Sequence, residues 1–186
     1  MTATIQPLRV LAEGFACAES PRWHDGELYF SDMYGRAVVA VGMTGRSRVV
    51  AEIPDVPTGL GWLPDGRLLI ATQKGRRVHR VEDDGRLSGS TVIARPALPP
   101  DGMSAVDRDG GIWIADPEGH AALRISAADE VTDQVTTERK CLAVALGGET
   151  GTTLFLCTTV SNDEHESVAQ RASRIEVTEV AIGAAS

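Results

Sequence analysis

Two carboxylates that could take part in chemistry, Glu19 and Asp101, occupy matching positions in a repeated pattern of the sequence. Each precedes a short apolar stretch, a turn with glycine and an alternating run. Thr58 and Cys141 hold the same position in two further repeats, and the four positions are spaced by 39, 43 and 40 residues. Carboxylates that converge repel each other unless a cation lies between them. Oxygen ligands suit Ca²⁺, Mg²⁺ or Mn²⁺, with Zn²⁺ as a further candidate.

Such a cation would lower the pKa of a bound water and supply a nucleophile at neutral pH, with Asp101 as the general base. Arg22, near Glu19 in the chain, is a weaker candidate for contact with an anionic substrate. The alternative, which is at least as well supported, is that Arg22 forms a salt bridge at the mouth of the blade. The alternative for Glu19 and Asp101 is structural, because turn carboxylates commonly accept hydrogen bonds from local backbone amides.

A period near 40 residues with several short strands in each unit is typical of β-propeller blades. The units run over about 12–53, 54–94, 95–136 and 137–182, within a single propeller-type domain over 1–186. In a propeller the innermost strand of each blade starts near the central channel, so equivalent first positions point toward one axis. The pattern therefore predicts an all-β fold of about four four-stranded blades, with Glu19 and Asp101 facing the channel.

Turn and breaker residues set the expected boundaries of the strands. The Asp25-Gly26 pair predicts a tight hairpin with positive φ angles, and Asp84-Gly85 marks a turn in the second unit. The polar stretch 161–172 is expected to be a long surface loop. The alternating tail 174–182 is expected to pair with the N-terminal strand, which would leave no free edge there.

Composition limits the classes of function. A formal net charge of −8 and a pI near 5.0 argue against nucleic acid as a partner, because such binding needs clustered Lys and Arg. No apolar run is long enough to span a bilayer, and three cysteines without CxxC spacing favour free, buried thiols in a reducing, cytoplasmic setting. The tryptophans are expected to pack between blades, and the histidines to be solvated. The histidines are His24, His79, His120 and His165.

The repeats resemble those of the SMP-30/gluconolactonase family. The resemblance rests on AEGFACAESPRWHDGELYFSD in the first unit, PTGLGWLPDGRLLIA in the second, and LPPDGMSAVDRDGGIWIADPEG with CLAVALGGETGTTLFL in the last two. It implies a propeller with a divalent metal in the channel, with Ca²⁺ as the first expectation, and it implies hydrolysis of sugar-type lactones. It also implies that Glu19 is a metal ligand and Asp101 a ligand or base.

The chain is short for this family, whose rings contain six blades of about 40 residues. The first two units resemble the opening blades and the last two the closing ones, so the sequence predicts internal shortening between residues 80 and 99. The missing middle would carry an Asn-Gly turn that supplies a third ligand, and the only asparagine here is Asn162. Two hypotheses follow: a metal-dependent lactonase, or a non-catalytic propeller remnant that binds partners or self-associates through open blade edges.

Overall fold

The computed structural model describes residues 7–63, 65–75, 77–82, 87–91, 105–126, 128 and 130–185. In chain order its elements are β1 (Arg9–Phe15), β2 (Ala18–His24), β3 (Glu27–Asp32), β4 (Ala37–Gly42), β5 (Ser47–Glu52), β6 (Pro57–Trp62), β7 (Leu68–Thr72), β8 (Arg77–Val81), β9 (Leu87–Thr91), β10 (Ala105–Val106), β11 (Ile112–Asp116), β12 (Ala121–Ile125), β13 (Val131–Thr136), β14 (Lys140–Gly147), β15 (Thr153–Thr159), α1 (Glu164–Gln170) and β16 (Ser173–Glu179).

The strands form four antiparallel sheets of four strands each, which we call blades one to four. Blade one has the order β2-β3-β4-β5, blade two β6-β7-β8-β9 and blade three β10-β11-β12-β13. Blade four has the order β1-β16-β15-β14, so the N-terminal strand pairs with the last strand of the chain, as predicted for the tail. The fold is therefore all-β and of the partial propeller type.

Local sequence explains the tight turns. Asp25 and Gly26 both have positive φ angles, 47° and 82°, which confirms the predicted primed hairpin. Asp84-Gly85 lies outside the described residues. A second turn recurs at the ends of β3 and β11, where Asp32 and Asp116 accept hydrogen bonds from backbone amides three residues later. This recurrence shows that blades one and three share their local geometry as well as their strand order.

Apolar side chains fill the spaces between neighbouring blades. One cluster joins blades one and four around Phe30 and Phe155, a second joins blades three and four around Trp113 and Leu156, and a third joins blades one and two around Ile70. Within the described part of the chain no such cluster joins blade two to blade three. The blades therefore pack in the series two, one, four, three.

The polar stretch between β15 and β16 differs from the prediction. Residues 164–170 form α1 instead of a loop, because Asp163 caps the helix by accepting a hydrogen bond from the Glu166 amide at 3.0 Å. Glu164 and Glu166 lie in the first turn, where negative charge favours a helix. No helix in the described part of the chain has the length and apolar character needed to cross a lipid bilayer.

The predicted roles of the tryptophans are confirmed. Trp113 is buried between blades three and four, and Trp23 of blade one stacks on Phe155 of blade four with ring centroids 5.3 Å apart. Trp62 of blade two stacks on His24 of blade one at 4.1 Å. These rings add directional contacts to the apolar clusters between blades.

The prediction of solvated histidines is wrong for His79. Its side chain is buried on β8, opposite Ile70 on the face that packs against blade one, and its Nε2 has no hydrogen-bond partner among the described residues. Successive side chains of β8 point to opposite faces, so His79 and Val81 share one face. Because Val81 belongs to the apolar cluster between blades one and two, His79 faces that cluster as well. The three cysteines are free and buried, as predicted.

Candidate functional site at the inner ends of the blades

The repeat positions identified in the sequence coincide structurally in three blades. Glu19, Thr58 and Cys141 are each the second residue of an innermost strand, namely β2, β6 and β14. In each strand a register shift against the next strand follows within three residues. Such bulges re-aim side chains. The three blades therefore present these positions at the same end of the molecule in the same local geometry.

Glu19 is half-buried, and its carboxylate folds back on the neighbouring residue. Its Oε2 accepts a hydrogen bond from the Ser20 amide at 2.9 Å. Ser20 is buried and has a φ of 50°, an uncommon conformation for a residue with a side chain. The local amide contact expected from a structural role is thus present for Glu19, and the strained neighbour is of the kind often found at functional sites.

The charge of Glu19 acts on three buried thiols. Burial raises the pKa of Cys17 and of Cys141 to about 12 and that of Cys157 well above its ordinary value, and the negative charge of Glu19 contributes to each increase. Glu19 therefore lies within electrostatic range of the inner strands of both blade one and blade four. Because thiolates are the reactive form, these cysteines are packing residues and not nucleophiles.

Arg22 lies on the same strand as Glu19. It is half-buried, and its Nη1 donates a hydrogen bond to the Pro21 carbonyl at 2.8 Å. Burial lowers the pKa of Arg22, while the negative charge of Glu19 opposes that shift. The Arg22 guanidinium therefore lies within electrostatic range of the Glu19 carboxylate.

Asp101 lies outside the described residues, so its approach to Glu19 stays a prediction from the sequence. Within the described ranges, no group of three or more His, Cys, Asp or Glu side chains is placed to hold a metal ion. Among the described residues, Glu19 alone of the two predicted metal ligands is placed, and it belongs to no cluster of three or more such side chains.

Tyr34 and α1 form part of this end of the molecule, and the sequence interpretation missed both. The Tyr34 hydroxyl donates to the Asn162 carbonyl at 3.2 Å. Burial raises the pKa of Tyr34, and the negative charges of Glu164, Asp163 and Glu19 add to the shift. The signal for the helix was present as Asp163 followed three residues later by Glu166, a typical capping sequence.

Helix α1 lies between two strands of blade four, and it also contacts blades one and two. Glu164 lies 3.8 Å from the Arg36 guanidinium of blade one and 3.4 Å from the Lys74 ammonium of blade two. These pairs are exposed, so each is worth about 1 kcal/mol or less. Their importance is geometric, because they hold α1 beside Tyr34 at the end of the molecule where Glu19 lies.

Several solved structures share this fold with the chain. Regucalcin from Agrobacterium tumefaciens, a calcium-binding protein, aligns with a TM-score of 0.61 at 15% identity, covering 95% of this chain and 94% of its own. A structural-genomics target assigned as a gluconolactonase aligns with a TM-score of 0.59 at 15% identity, covering 99% and 95%. The PQQ-bound aldose sugar dehydrogenase of Streptomyces coelicolor aligns with a TM-score of 0.58 at 14% identity, covering 95% and 98%. At these identities the likeness establishes the fold alone.

A search of curated proteins gave no significant match. The family model described as the SMP-30/gluconolactonase/LRE-like region matches the sequence twice, over residues 17–91 and 77–160. Together these matches span most of the chain and include Glu19, Arg22 and Asp101. The chain therefore belongs to the SMP-30/gluconolactonase/LRE-like family.

Proposed function

We propose that the protein hydrolyses sugar-type lactones. The observation that carries this proposal is the family match over 17–160, which includes Glu19 on the innermost strand of blade one. The names of two structural relatives, a gluconolactonase and a calcium-binding regucalcin, support the same class of chemistry. The third relative, a sugar dehydrogenase, has the same fold with a different reaction, so the fold by itself does not select the activity.

The polar groups of this chain suit a neutral, oxygen-rich substrate of small size. The half-buried Glu19 carboxylate accepts hydrogen bonds and is fixed by the Ser20 amide, while Arg22 supplies a positive charge on the same strand. Attack of water on a lactone carbonyl develops negative charge on its oxygen, which a nearby guanidinium stabilises. In this proposal Asp101 acts as the general base that takes the proton of the attacking water.

A divalent cation, with Ca²⁺ first and Zn²⁺, Mn²⁺ or Mg²⁺ as alternatives, belongs to the proposal. The described side chains do not form a complete set of ligands. Glu19 and Asp101 would be its protein ligands, with water or a second chain supplying the rest.

The test is hydrolysis of a panel of aldonolactones by the purified chain, before and after treatment with a chelator and with each of the four cations added back. Turnover that is lost with chelator and recovered with one cation supports both parts of the proposal. If the chelator leaves turnover unchanged, the metal is no part of the mechanism and only the hydrolase activity stands. The absence of turnover with every cation refutes the hydrolase.

The second candidate is a non-catalytic propeller that serves as a binding or self-associating module. It is favoured by exposed aliphatic side chains on blade three, among them Val106 and Val131. The lactone panel separates the two candidates, since only the first predicts turnover. In either case the three buried, unpaired thiols are in keeping with a reducing compartment, and we place the protein in the cytoplasm as part of this proposal.

A further inference from the structure

The face of blade three that is turned away from blade four carries a field of aliphatic side chains. Four of them form a row in register across β10 to β13, and the next row adds two more. We call this set the open face of blade three; its members are Val106, Ile112, Ile125, Val131, Ile114 and Leu123. Val106 is 50% exposed, Ile112 40%, Ile114 36% and Val131 59%. Contiguous exposed apolar patches on soluble proteins usually mark interaction sites.

The alternation along β11 identifies this surface as a packing face. Trp113, between Ile112 and Ile114, is 1% exposed and packs in the cluster shared with blade four. Successive side chains of a strand point to opposite faces, so β11 is apolar on both. That pattern is typical of a strand covered on both sides. Blade four covers one of the two faces of β11.

Blade two has a corresponding face. Ile70 and His79 pack toward blade one, so Leu69, Ala71 and Val78, which alternate with them, face away from it. These three side chains are half-buried. Along the described ranges the apolar clusters link the blades in the series two, one, four, three. One chain thus carries both halves of a blade-to-blade junction, and among its described residues no apolar cluster joins the two.

We propose that the open face of blade three packs against the outward face of blade two in a second copy of this chain. The contact continues the kind of packing that already joins blades one to two and three to four within the chain. Arg80, on the same face as Leu69, is paired with Glu82 at 2.6 Å, so its charge is compensated at the junction. Gln134, opposite Leu123, adds a polar side chain to the margin of the open face, while the row from Val106 to Val131 is wholly aliphatic and faces the aliphatic Leu69, Ala71 and Val78 of blade two.

Two-fold symmetry makes two such junctions at once, because each copy offers one blade-three face and one blade-two face. The dimer is then closed and has no tendency to grow into a filament. This assembly goes beyond the proposed catalysis, and its tests measure mass and cross-linking, so they do not depend on activity.

The first test is the molar mass of the full chain by light scattering after size exclusion. We expect a dimer for the natural sequence and a monomer for Ile112→Glu, because a carboxylate in this junction would be desolvated without a partner. The control is Val49→Glu, since Val49 is 60% exposed on β5 of blade one, outside the proposed contact, and this variant should remain a dimer. A monomeric natural chain, or a dimeric Ile112→Glu variant with native circular dichroism, overturns the proposal.

The second test fixes which faces meet. Ile114→Cys and Val78→Cys are prepared separately and mixed under mild oxidation, with the three native thiols buried. We expect a disulfide-linked dimer in the mixture and none in either variant alone. Cross-linking of Ile114→Cys with itself would show that two blade-three faces meet each other, which contradicts the assignment to blade two. Absence of cross-linking in the mixture contradicts it as well.

Discussion

Asp107 and Arg124 form a buried ion pair that ties the first turn of blade three to strand β12. Arg124 Nε lies 2.6 Å from Asp107 Oδ2 and Arg124 Nη2 lies 3.2 Å from Oδ1, with side-chain exposures of 8% and 0%. The same carboxylate accepts hydrogen bonds from the Asp109 and Gly111 amides. Burial by itself raises the pKa of Asp107, but the bonds from Arg124 and these amides outweigh it and hold the pKa below its ordinary value.

Breaking this pair should destabilise the protein strongly. In Arg124→Met the Asp107 carboxylate stays buried without its cation, and the expected loss is about 3–5 kcal/mol of unfolding free energy. The measurement is urea unfolding at neutral pH. The control is Arg48→Met, which removes an exposed ion pair with Glu27 and should cost about 1 kcal/mol or less. Similar losses in the two variants would contradict the buried role of Arg124.

Gly111 makes room for the same ion pair. A Cβ at this position would lie 2.5 Å from Arg124 Nη2 and 2.7 Å from Asp107 Oδ2. Gly111→Ala should therefore lower the unfolding free energy by about 1–3 kcal/mol, the usual cost of overpacking. Gly61→Ala, where a Cβ has no neighbour within 4 Å, is the matched control and should leave the melting temperature nearly unchanged. Equal melting temperatures for both variants would refute the steric argument.

His79 should make stability depend on pH. Burial, followed by the positive charge of Arg77, lowers the pKa of His79 in the folded state. The unfolded chain therefore binds this proton more tightly, so stability is level above about pH 6.5 and falls below it by up to about 1.4 kcal/mol per pH unit. Unfolding free energies at pH 8, 6 and 5 test this. The fall should diminish in His79→Leu and persist in His165→Leu, whose histidine is exposed on α1.

The buried thiols should resist modification. Since burial raises the pKa of Cys17 and Cys141 to about 12 and that of Cys157 well above its ordinary value, little thiolate forms at pH 8. A disulfide reagent such as Ellman's should label the native protein slowly and all three thiols quickly after denaturation in guanidinium. Rapid labelling of the native protein would show that one of these positions opens to solvent.

Much of the architecture was predictable because it rests on short-range rules. The repeat positions Glu19, Thr58 and Cys141 were aligned from the sequence, and each is the second residue of an innermost strand. The Asp25-Gly26 hairpin follows from the positive φ angles that this pair accepts. Such features depend on local residue types and on the period of the repeat, and both can be read directly from the sequence.

What was missed depends on contacts that a linear pattern does not contain. Helix α1 was hidden by its short length and polar composition, although Asp163 and Glu166 form a recognisable cap. The burial of His79 comes from packing between two blades, and the hydrogen bond from Tyr34 to the Asn162 carbonyl joins blade one to the segment between β15 and β16 of blade four. The approach of Asp101 to Glu19 is likewise a tertiary relationship and stays a prediction.

The most direct test of the proposed activity compares kcat/KM for aldonolactone hydrolysis in the natural chain, Glu19→Gln, Asp101→Ala and Glu52→Gln, in the presence of Ca²⁺. The proposal predicts turnover by the natural chain and a loss of about 100-fold or more in the Glu19 and Asp101 variants, the usual scale for a general base or ligand carboxylate. Glu52, exposed on the outermost strand of blade one, should be replaceable without effect. Unchanged turnover in Glu19→Gln, or none in the natural chain, would contradict the proposed site.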